Sequence, residues 1–332
     1  MTPGVSVVLP VRDAAATLGE CLASLAAQTL RDHELIAVDD GSRDASAAIL
    51  AAAAARDRRL RVITTPARGL PSALNTAVAL AHAPLLARMD ADDIAHPERL
   101  AAQKRFLEAH PEVSILGSRV ELLAAVPAPG MRAYIDWSNG LLDHSAIGDD
   151  LYVESPLVHP SVMLRREHLL GLGGYRDFGG PEDYDLWLRA YGAGVRFAKL
   201  REVLLVWRDG PHRLTRVDPR YHPDRFRELK LAALERDRPE TLGRVVIWGA
   251  GPIGKAWARA LRSRGHGIEA FVEVDARKIG KHLHGVPVVA VDQAPARGPA
   301  LHLAAVGQPG ARQRIRAAAA RLGLSGRLVA VA

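Results

Sequence analysis

The first hundred residues alternate short apolar runs with stretches of helical spacing. Val5 to Pro10 is a near-continuous apolar run, the pattern of a parallel strand buried on both faces. Thr17 to Leu30 then repeats apolar residues at Leu18, Cys21, Leu22 and Leu25, which predicts a helix. Glu34 to Val38 predicts a second strand ending at Asp39-Asp40-Gly41-Ser42, Asp44 to Ala55 a helix, and Leu60 to Thr64 a third strand. Ser72 to Ala81 reads as another helix. Leu85 to Met89 is a fourth strand, and it runs directly into Asp90-Ala91-Asp92-Asp93. Short strands alternating with helices predict a parallel sheet with right-handed crossovers. Ligands of such sheets sit beyond the carboxyl ends of the strands. Three strands end in chemically capable groups: Pro10-Val11-Arg12-Asp13, Asp39-Asp40 and the aspartate cluster. All three are expected to face one crevice.

Farther along, Pro97 to His110 predicts a helix and Val113 to Leu123 a strand. Ala124 to Gly148, with Pro127, Pro129, Gly130 and Gly140, has an irregular pattern and is expected to cap the site. Ser161 to Leu164 reads as a strand, Glu182 to Tyr191 as a helix with acids in its first turn, and Arg201 to Trp207 as a last strand. Arg216 to Leu242 is charged and helical, with Pro219, Pro223 and Pro239, and reads as a linker. A new α/β unit begins at Arg244. Val245 to Trp248 is its first strand, Gly249 to Gly254 a glycine-rich turn, Lys255 to Arg264 a helix and Ile268 to Val274 the next strand.

Composition adds bounds to this picture. A chain of 332 residues, 48% hydrophobic and 24% charged, is globular and long enough for two cores. Its one cysteine, Cys21, rules out an intrachain disulfide and fits a reducing compartment. No apolar stretch is long enough to span a bilayer and no basic leader precedes the first strand, so a cytoplasmic location is expected. The net charge of +7 is almost all arginine, since only six of the 44 basic residues are lysines. No dense basic block with interleaved aromatics appears, which argues against nucleic acid. Arg201, Arg208, Arg213, Arg216, Arg220, Arg225 and Arg227 are loosely clustered and could draw the protein to the inner face of an acidic membrane.

Carboxylates crowded at the end of a buried strand are costly unless a cation neutralises them. Two aspartates with waters and substrate phosphates suit Mg²⁺ or Mn²⁺. An ordinary polar turn is the alternative, and the neighbouring segments weigh against it.

Six segments, in order, carry a resemblance. They are Val7-Val8-Leu9-Pro10-Val11-Arg12-Asp13, Val38 to Asp44, Arg68 to Asn75, Arg88-Met89-Asp90-Ala91-Asp92-Asp93-Ile94, His159-Pro160-Ser161-Val162-Met163 and Glu182-Asp183-Tyr184-Asp185-Leu186-Trp187-Leu188-Arg189. Together they resemble a family 2 glycosyltransferase of the GT-A fold. That resemblance covers residues 1–215, leaving 216–242 as a helical linker and 243–332 as a smaller Rossmann-like domain. It implies an inverting transfer of a sugar from a nucleotide-diphosphate sugar, with a divalent metal, to a glycan or glycolipid acceptor of the kind used in envelope polysaccharide synthesis. It implies that Pro10, Val11, Arg12, Asp39 and Asp40 hold the base and ribose, with Arg68 near the base or diphosphate. Asp90 and Asp92 would form the metal-binding motif, and His212 would complete it. Asp183 would be the general base, with Glu182 or Asp185 as the rival acid. Asp185 also stands at helical i,i+4 spacing to Arg189, which suits a salt bridge. Trp137, Glu182 and Tyr175 would lie on the acceptor side, although Trp137 suits a core equally well. His159 is a further candidate. At Asp13 many relatives carry asparagine.

Gly249, Gly251 and Gly254 fit G-x-G-x-x-G between strand and helix, and Glu273 and Asp275 close the next strand at the separation expected for ribose contacts. This unit resembles the Rossmann-like domain that opens sialic-acid-type sugar O-acetyltransferases. With no catalytic domain following it, an accessory nucleotide-binding or packing role is expected. The rival function is a nucleotide-dependent oxidoreductase or nucleotide-sugar sensor centred on this turn.

Overall fold

The computed structural model describes residues 3–124, 129–210, 213–294 and 300–332. The chain divides into two compact units, Met1–Ile147 with Pro156–Arg220, and Gly148–Ser155 with Tyr221–Ala332.

The first unit opens with β1 (Val5–Val11), α1 (Leu18–Ala26), β2 (His33–Asp39), α2 (Ser46–Ala54), β3 (Leu60–Thr64), α3 (Leu70–Leu80) and β4 (Leu85–Arg88). It continues through β5 (Ile94–Ala95), α4 (Arg99–Ala109), β6 (Val113–Leu123), α5 (Pro129–Gly140) and α6 (His144–Asp150). Then come β7 (Met163–Arg165), α7 (Arg166–Gly171), α8 (Glu182–Gly192), β8 (Arg196–Arg208) and α9 (Leu214–Val217). The strands form one sheet in the order β3-β2-β1-β4-β7-β6-β8-β5. β3, β2, β1 and β4 are mutually parallel, whereas β7 pairs antiparallel with both β4 and β6. Parallel strands buried on both faces are near-continuously apolar, and every residue of β1 is buried. Val11 lies opposite Asp39 and Asp39 opposite Thr64, so the carboxyl ends of β1 to β3 are level. β4 ends on the same edge, its Arg88 opposite Val8.

Residues 124–148 depart from the expected irregular cap. They carry α5 and the start of α6, while 125–128 lie outside the described residues. Met131, Tyr134 and Ile135 stand at i, i+3, i+4 and pack against the core of the sheet. Two prolines and two glycines around this stripe hide it in the sequence. Pro129 sits at the helix start, where proline is tolerated because the N–H it lacks would have no partner. The segment expected as a strand from Ser161 begins instead with a single tight turn, His159–Ser161, before β7. Among the described residues no helix is long and apolar enough to cross a membrane.

The second unit holds α10 (Pro223–Asp237), β9 (Arg244–Trp248), α11 (Pro252–Ser263), β10 (Gly267–Val272), β11 (His282–Leu283), β12 (Val286–Val289), β13 (Leu301–Ala304), α12 (Ala311–Arg321) and β14 (Leu328–Ala330). Its sheet order is β11-β12-β10-β9-β13-β14, parallel except for the β11/β12 hairpin. α10 falls in the stretch read as a linker, yet its Leu231 and Leu234 are buried. Gly148–Ser155 belongs here too. Asp150 accepts from Arg312 Nη1 at 2.8 Å and Arg316 Nη2 at 2.6 Å, Tyr152 Oη donates to Asp237 at 3.1 Å, and Lys230 Nζ donates to the Val153 carbonyl at 2.7 Å.

Candidate active site

Local sequence explains how each strand end turns. Gly41 lies in the left-handed region, its missing Cβ leaving room for Ala67. Asp13 has φ of 48°, a conformation that asparagine and aspartate tolerate best among residues with a side chain. That is a backbone reason for either residue at this position. Asp13 Oδ1 also accepts the Arg43 N–H at 2.7 Å, tying the β1 turn to the β2 turn.

The paired aspartates of β2 divide their labour. Asp39 accepts the Ser42 N–H at 3.0 Å. Asp40 is spent on the next loop: its two oxygens accept the N–H groups of Arg68 and Gly69, each at 2.8 Å. Arg12 lies 3.6 Å from the same carboxylate. Asp40 therefore shapes the wall that carries Arg68.

β4 delivers the acidic cluster. Asp90, Asp92 and Asp93 each offer one carboxylate oxygen, and these oxygens lie within 4.8 Å of one another. Asp93 is buried, accepts the Arg208 N–H at 2.8 Å through Oδ1, and has no partner for Oδ2 among the described residues. Burial and then the charges of Asp90 and Asp92 hold its carboxyl well above the ordinary value. Asp92 opens to solvent at its outer edge, but partial desolvation and Asp90 push it up to about 6. Three crowded hard-oxygen donors, one with an orphaned buried oxygen, are a donor set suited to a small divalent cation.

One prediction follows from this crowding. A carboxylate whose folded pKa is raised destabilises the fold at every pH where its unfolded counterpart is ionised. Asp93→Asn is therefore expected to raise the Tm of the metal-free protein in EDTA at pH 8. The gap should open as pH rises above about 4, where an unfolded aspartate ionises, and close below that value. Equal melting of the two proteins at pH 8 would show that Asp93 carries no such penalty.

Beneath the cluster lie two buried arginines that sequence reading missed. Arg88 forms an ion pair with Asp90 through Nη1; burial works against its charge, but Asp90, together with Tyr175 and Glu182, favours the charged form. Arg99 donates to the Arg88 carbonyl at 2.7 Å and contacts Met89 Sδ at 3.2 Å, which supports the turn from below. The signal was present: an arginine inside the apolar run Leu85 to Met89 must find a partner if the strand is buried.

The start of α8 supplies the next acids. Asp183 is half-buried and accepts the Tyr184 N–H at 2.7 Å. The helix macrodipole favours a negative charge there. Asp185 pairs with Arg189 at 2.7 Å, as its spacing suggested. Glu182 and Tyr175, expected on the acceptor side, are both buried. Glu182 Oε1 faces His159 Nδ1 at 3.6 Å, and Tyr175 Oη bonds to His159 Nε2 at 3.1 Å. Burial and then Arg88 lower the His159 pKa to about 4, so its imidazole is neutral at neutral pH.

Trp137 sits beside Tyr134, ring centroids 5.8 Å apart, and Tyr134 lies 6.0 Å from Trp207. Arg213 covers the Trp207 ring at 3.6 Å. His212 lies outside the described residues. In the arginine cluster, Arg208, Arg216, Arg220, Arg225 and Arg227 are all paired with carboxylates.

In the second unit, Gly249 has φ of 108°, and a Cβ at Gly254 would stand 1.9 Å from the Gly249 carbonyl oxygen. Those two glycines bring α11 tightly onto β9. A Cβ at Gly251 would meet nothing within 4 Å, so this glycine leaves the turn open in front. Glu273 accepts the Ala250 N–H at 3.3 Å and pairs with Lys278 at 3.0 Å, while Asp275 pairs with Arg277 at 2.9 Å.

Comparison with known proteins bears on both units. Residues 6–143 match the model of glycosyl transferase family 2, and residues 240–326 match the model described as a CoA binding domain. The chain is 32% identical over 204 residues to the amylovoran biosynthesis glycosyltransferase AmsE of Erwinia amylovora, covering 58% of this chain and 71% of that one. The fold resembles Staphylococcus aureus TarS 1–349 in complex with UDP-GlcNAc, with a TM-score of 0.57 and 20% identity over 71% of this chain and 66% of that one. It also resembles the mannosyltransferase PcManGT of Pyrobaculum calidifontis, in complex with GDP-Man and Mn²⁺, with a TM-score of 0.51, 20% identity and 80% coverage of each chain. The level strand ends, the aspartate cluster on β4 and this extent of identity lead to one assignment: the chain belongs to glycosyltransferase family 2.

Proposed function

We propose that this protein transfers a sugar, with inversion, from a nucleotide-diphosphate sugar to a glycan or glycolipid acceptor in bacterial-type polysaccharide synthesis. The observation that carries the reading is the Asp90–Asp92–Asp93 cluster at the carboxyl edge of the sheet, with its orphaned buried oxygen. The glycan assignment draws on the likeness to AmsE, and the nucleotide-sugar donor on the two ligand-bound structural neighbours.

In this reading Asp39, Arg12 and the Pro10-Val11 turn hold the nucleoside, and Arg68 reaches the base or diphosphate. Asp90 and Asp92 would hold Mn²⁺ or Mg²⁺, with Asp93 completing the set. The cation, when bound, supplies positive charge to the diphosphate leaving group. Asp183 receives the acceptor hydroxyl's proton as that oxygen bonds to the anomeric carbon and the bond to the nucleoside diphosphate breaks. Residues 1–215 would carry this chemistry. A panel of nucleotide sugars, scored for metal-dependent release of nucleoside diphosphate, tests it. No release from any donor with Mn²⁺ or Mg²⁺ would overturn the reading.

For residues 243–332 we propose an accessory domain that binds a nucleotide-containing ligand at the turn from Gly249 to Gly254, CoA among the candidates, in a lineage shared with the first domain of sugar O-acetyltransferases. A helix N-terminus presenting free N–H groups suits a phosphate. Gly251→Val fills the open space before the turn without a clash. In the full chain it is expected to weaken binding of CoA, NAD(H) or UDP about tenfold or more by calorimetry, about 1.4 kcal/mol, while sugar transfer is unchanged. Absence of binding in the unaltered protein would leave this unit a packing role. Hydride transfer from NADH would instead revive the oxidoreductase alternative, for which the β4 aspartates and Asp183 have no use.

A further inference from the structure

Four buried polar side chains under the crevice have no part in the chemistry above: Arg88, His159, Tyr175 and Glu182. Their places in the chain are informative. Arg88 ends β4 two residues before Asp90, and Glu182 opens α8 one residue before Asp183. Each stands at the root of one half of the proposed machinery. Arg88 is ion-paired to Asp90, and its charge also acts on Glu182 and His159. His159 stands between the acid and the phenol, with Nδ1 towards Glu182 and Nε2 hydrogen-bonded to Tyr175 Oη. Its ring also meets the edge of Trp187 on α8, centroids 5.9 Å apart. Tyr175 is anchored in turn, because Asn75 of α3 clamps its backbone. Asn75 Oδ1 accepts the Tyr175 N–H at 3.0 Å and Nδ2 donates to the Tyr175 carbonyl at 2.7 Å.

Buried ionic groups rarely repay their desolvation in stability, and their best-attested use is to fix one arrangement among alternatives. The residues arranged here are the two ends that must face each other for sugar transfer. We propose that Arg88, His159 and Glu182 are positioning residues that hold the first turn of α8, and with it Asp183, in register with the Asp90–Asp92 carboxylates. The inference rests on the glycosyltransferase reading of the site. Its physical content is that a displacement of about 1 Å between reacting groups costs on the order of a hundredfold in rate.

The two ring nitrogens of His159 allow the role to be separated from plain core packing. Asparagine places an amide nitrogen near the position of Nδ1 and can keep the contact to Glu182. Glutamine places its amide group near Nε2 and keeps only the contact to Tyr175, its oxygen able to accept from the phenol. The experiment uses the full chain with Mn²⁺. It measures steady-state release of nucleoside diphosphate from the best donor in the nucleotide-sugar panel, UDP and GDP binding by calorimetry, and Tm. His159→Gln is expected to lower kcat about tenfold or more, with donor KM and nucleotide Kd within about twofold. His159→Asn should recover most of the lost kcat, and Glu182→Gln should behave like His159→Gln. Should the His159 variants fail to fold, Tyr175→Phe removes a single hydroxyl and is expected to lower kcat with KM unmoved. Equal losses in His159→Asn and His159→Gln, or losses that track Tm, would reduce the cluster to packing and overturn the inference. Unaltered kcat in His159→Gln and Glu182→Gln overturns it as well, with the functional reading intact. An unaltered protein inert towards every donor removes that reading, and the inference falls with it.

Discussion

Asp92→Ala is expected to abolish metal-dependent release of nucleoside diphosphate while leaving the fold intact. Asp92 is the member of the cluster open to solvent, so its loss disturbs little packing. Its carboxylate is nevertheless held among like charges, raised to about 6 by desolvation and Asp90. Removing it relieves that repulsion and deletes a donor that a cation on the diphosphate requires. Groups that meet developing charge at a preorganised site are worth on the order of a hundredfold or more in rate. A loss of at least that size is expected at saturating donor, together with loss of any rise in Tm that Mn²⁺ would produce by binding the native state. Turnover like that of the unaltered protein at ordinary metal concentrations would remove Asp92 from the site.

Asp183→Asn is expected to separate binding from chemistry. The amide keeps the size of the side chain and can still accept the Tyr184 N–H. It cannot take a proton from an attacking hydroxyl. A positioned general base contributes about a hundredfold to ten-thousandfold, so transfer should fall by at least the lower figure while donor Kd stays constant. If donor affinity collapses and residual transfer remains near normal, Asp183 is a binding residue. Asp185 is a poor substitute for it, since Arg189 already engages that carboxylate.

The sequence made the strand ends legible because parallel strands announce themselves as unbroken apolar runs, and their carboxyl ends are where ligands collect. Asp39, Asp90 and Asp92 could be placed on one edge for that reason alone. Asp40 shows the limit of such reading. Its proximity to the site was legible, but its use in binding the Arg68 and Gly69 backbone depends on a loop path that no spacing encodes. Glu182 and Tyr175 were placed near the chemistry and turned inward, because His159, far away in the chain, offers each a partner. α5 escaped notice since a short apolar stripe among prolines and glycines looks like a loop until a sheet stands beside it. Arg88 was visible as an anomaly, an arginine in a core strand, and its meaning emerged only with Asp90 beside it.

The short segment Gly148–Ser155 has an engineering consequence. It lies inside the span of the first unit by sequence but belongs to the second, where Arg312 and Arg316 neutralise Asp150. A single cut after residue 215 would strand that carboxylate without its arginines, so the two units are not interchangeable cassettes. Anyone building a chimaera or a minimal transferase from this gene must transplant the segment with its arginine partners or redesign it, with Asp150 neutralised first.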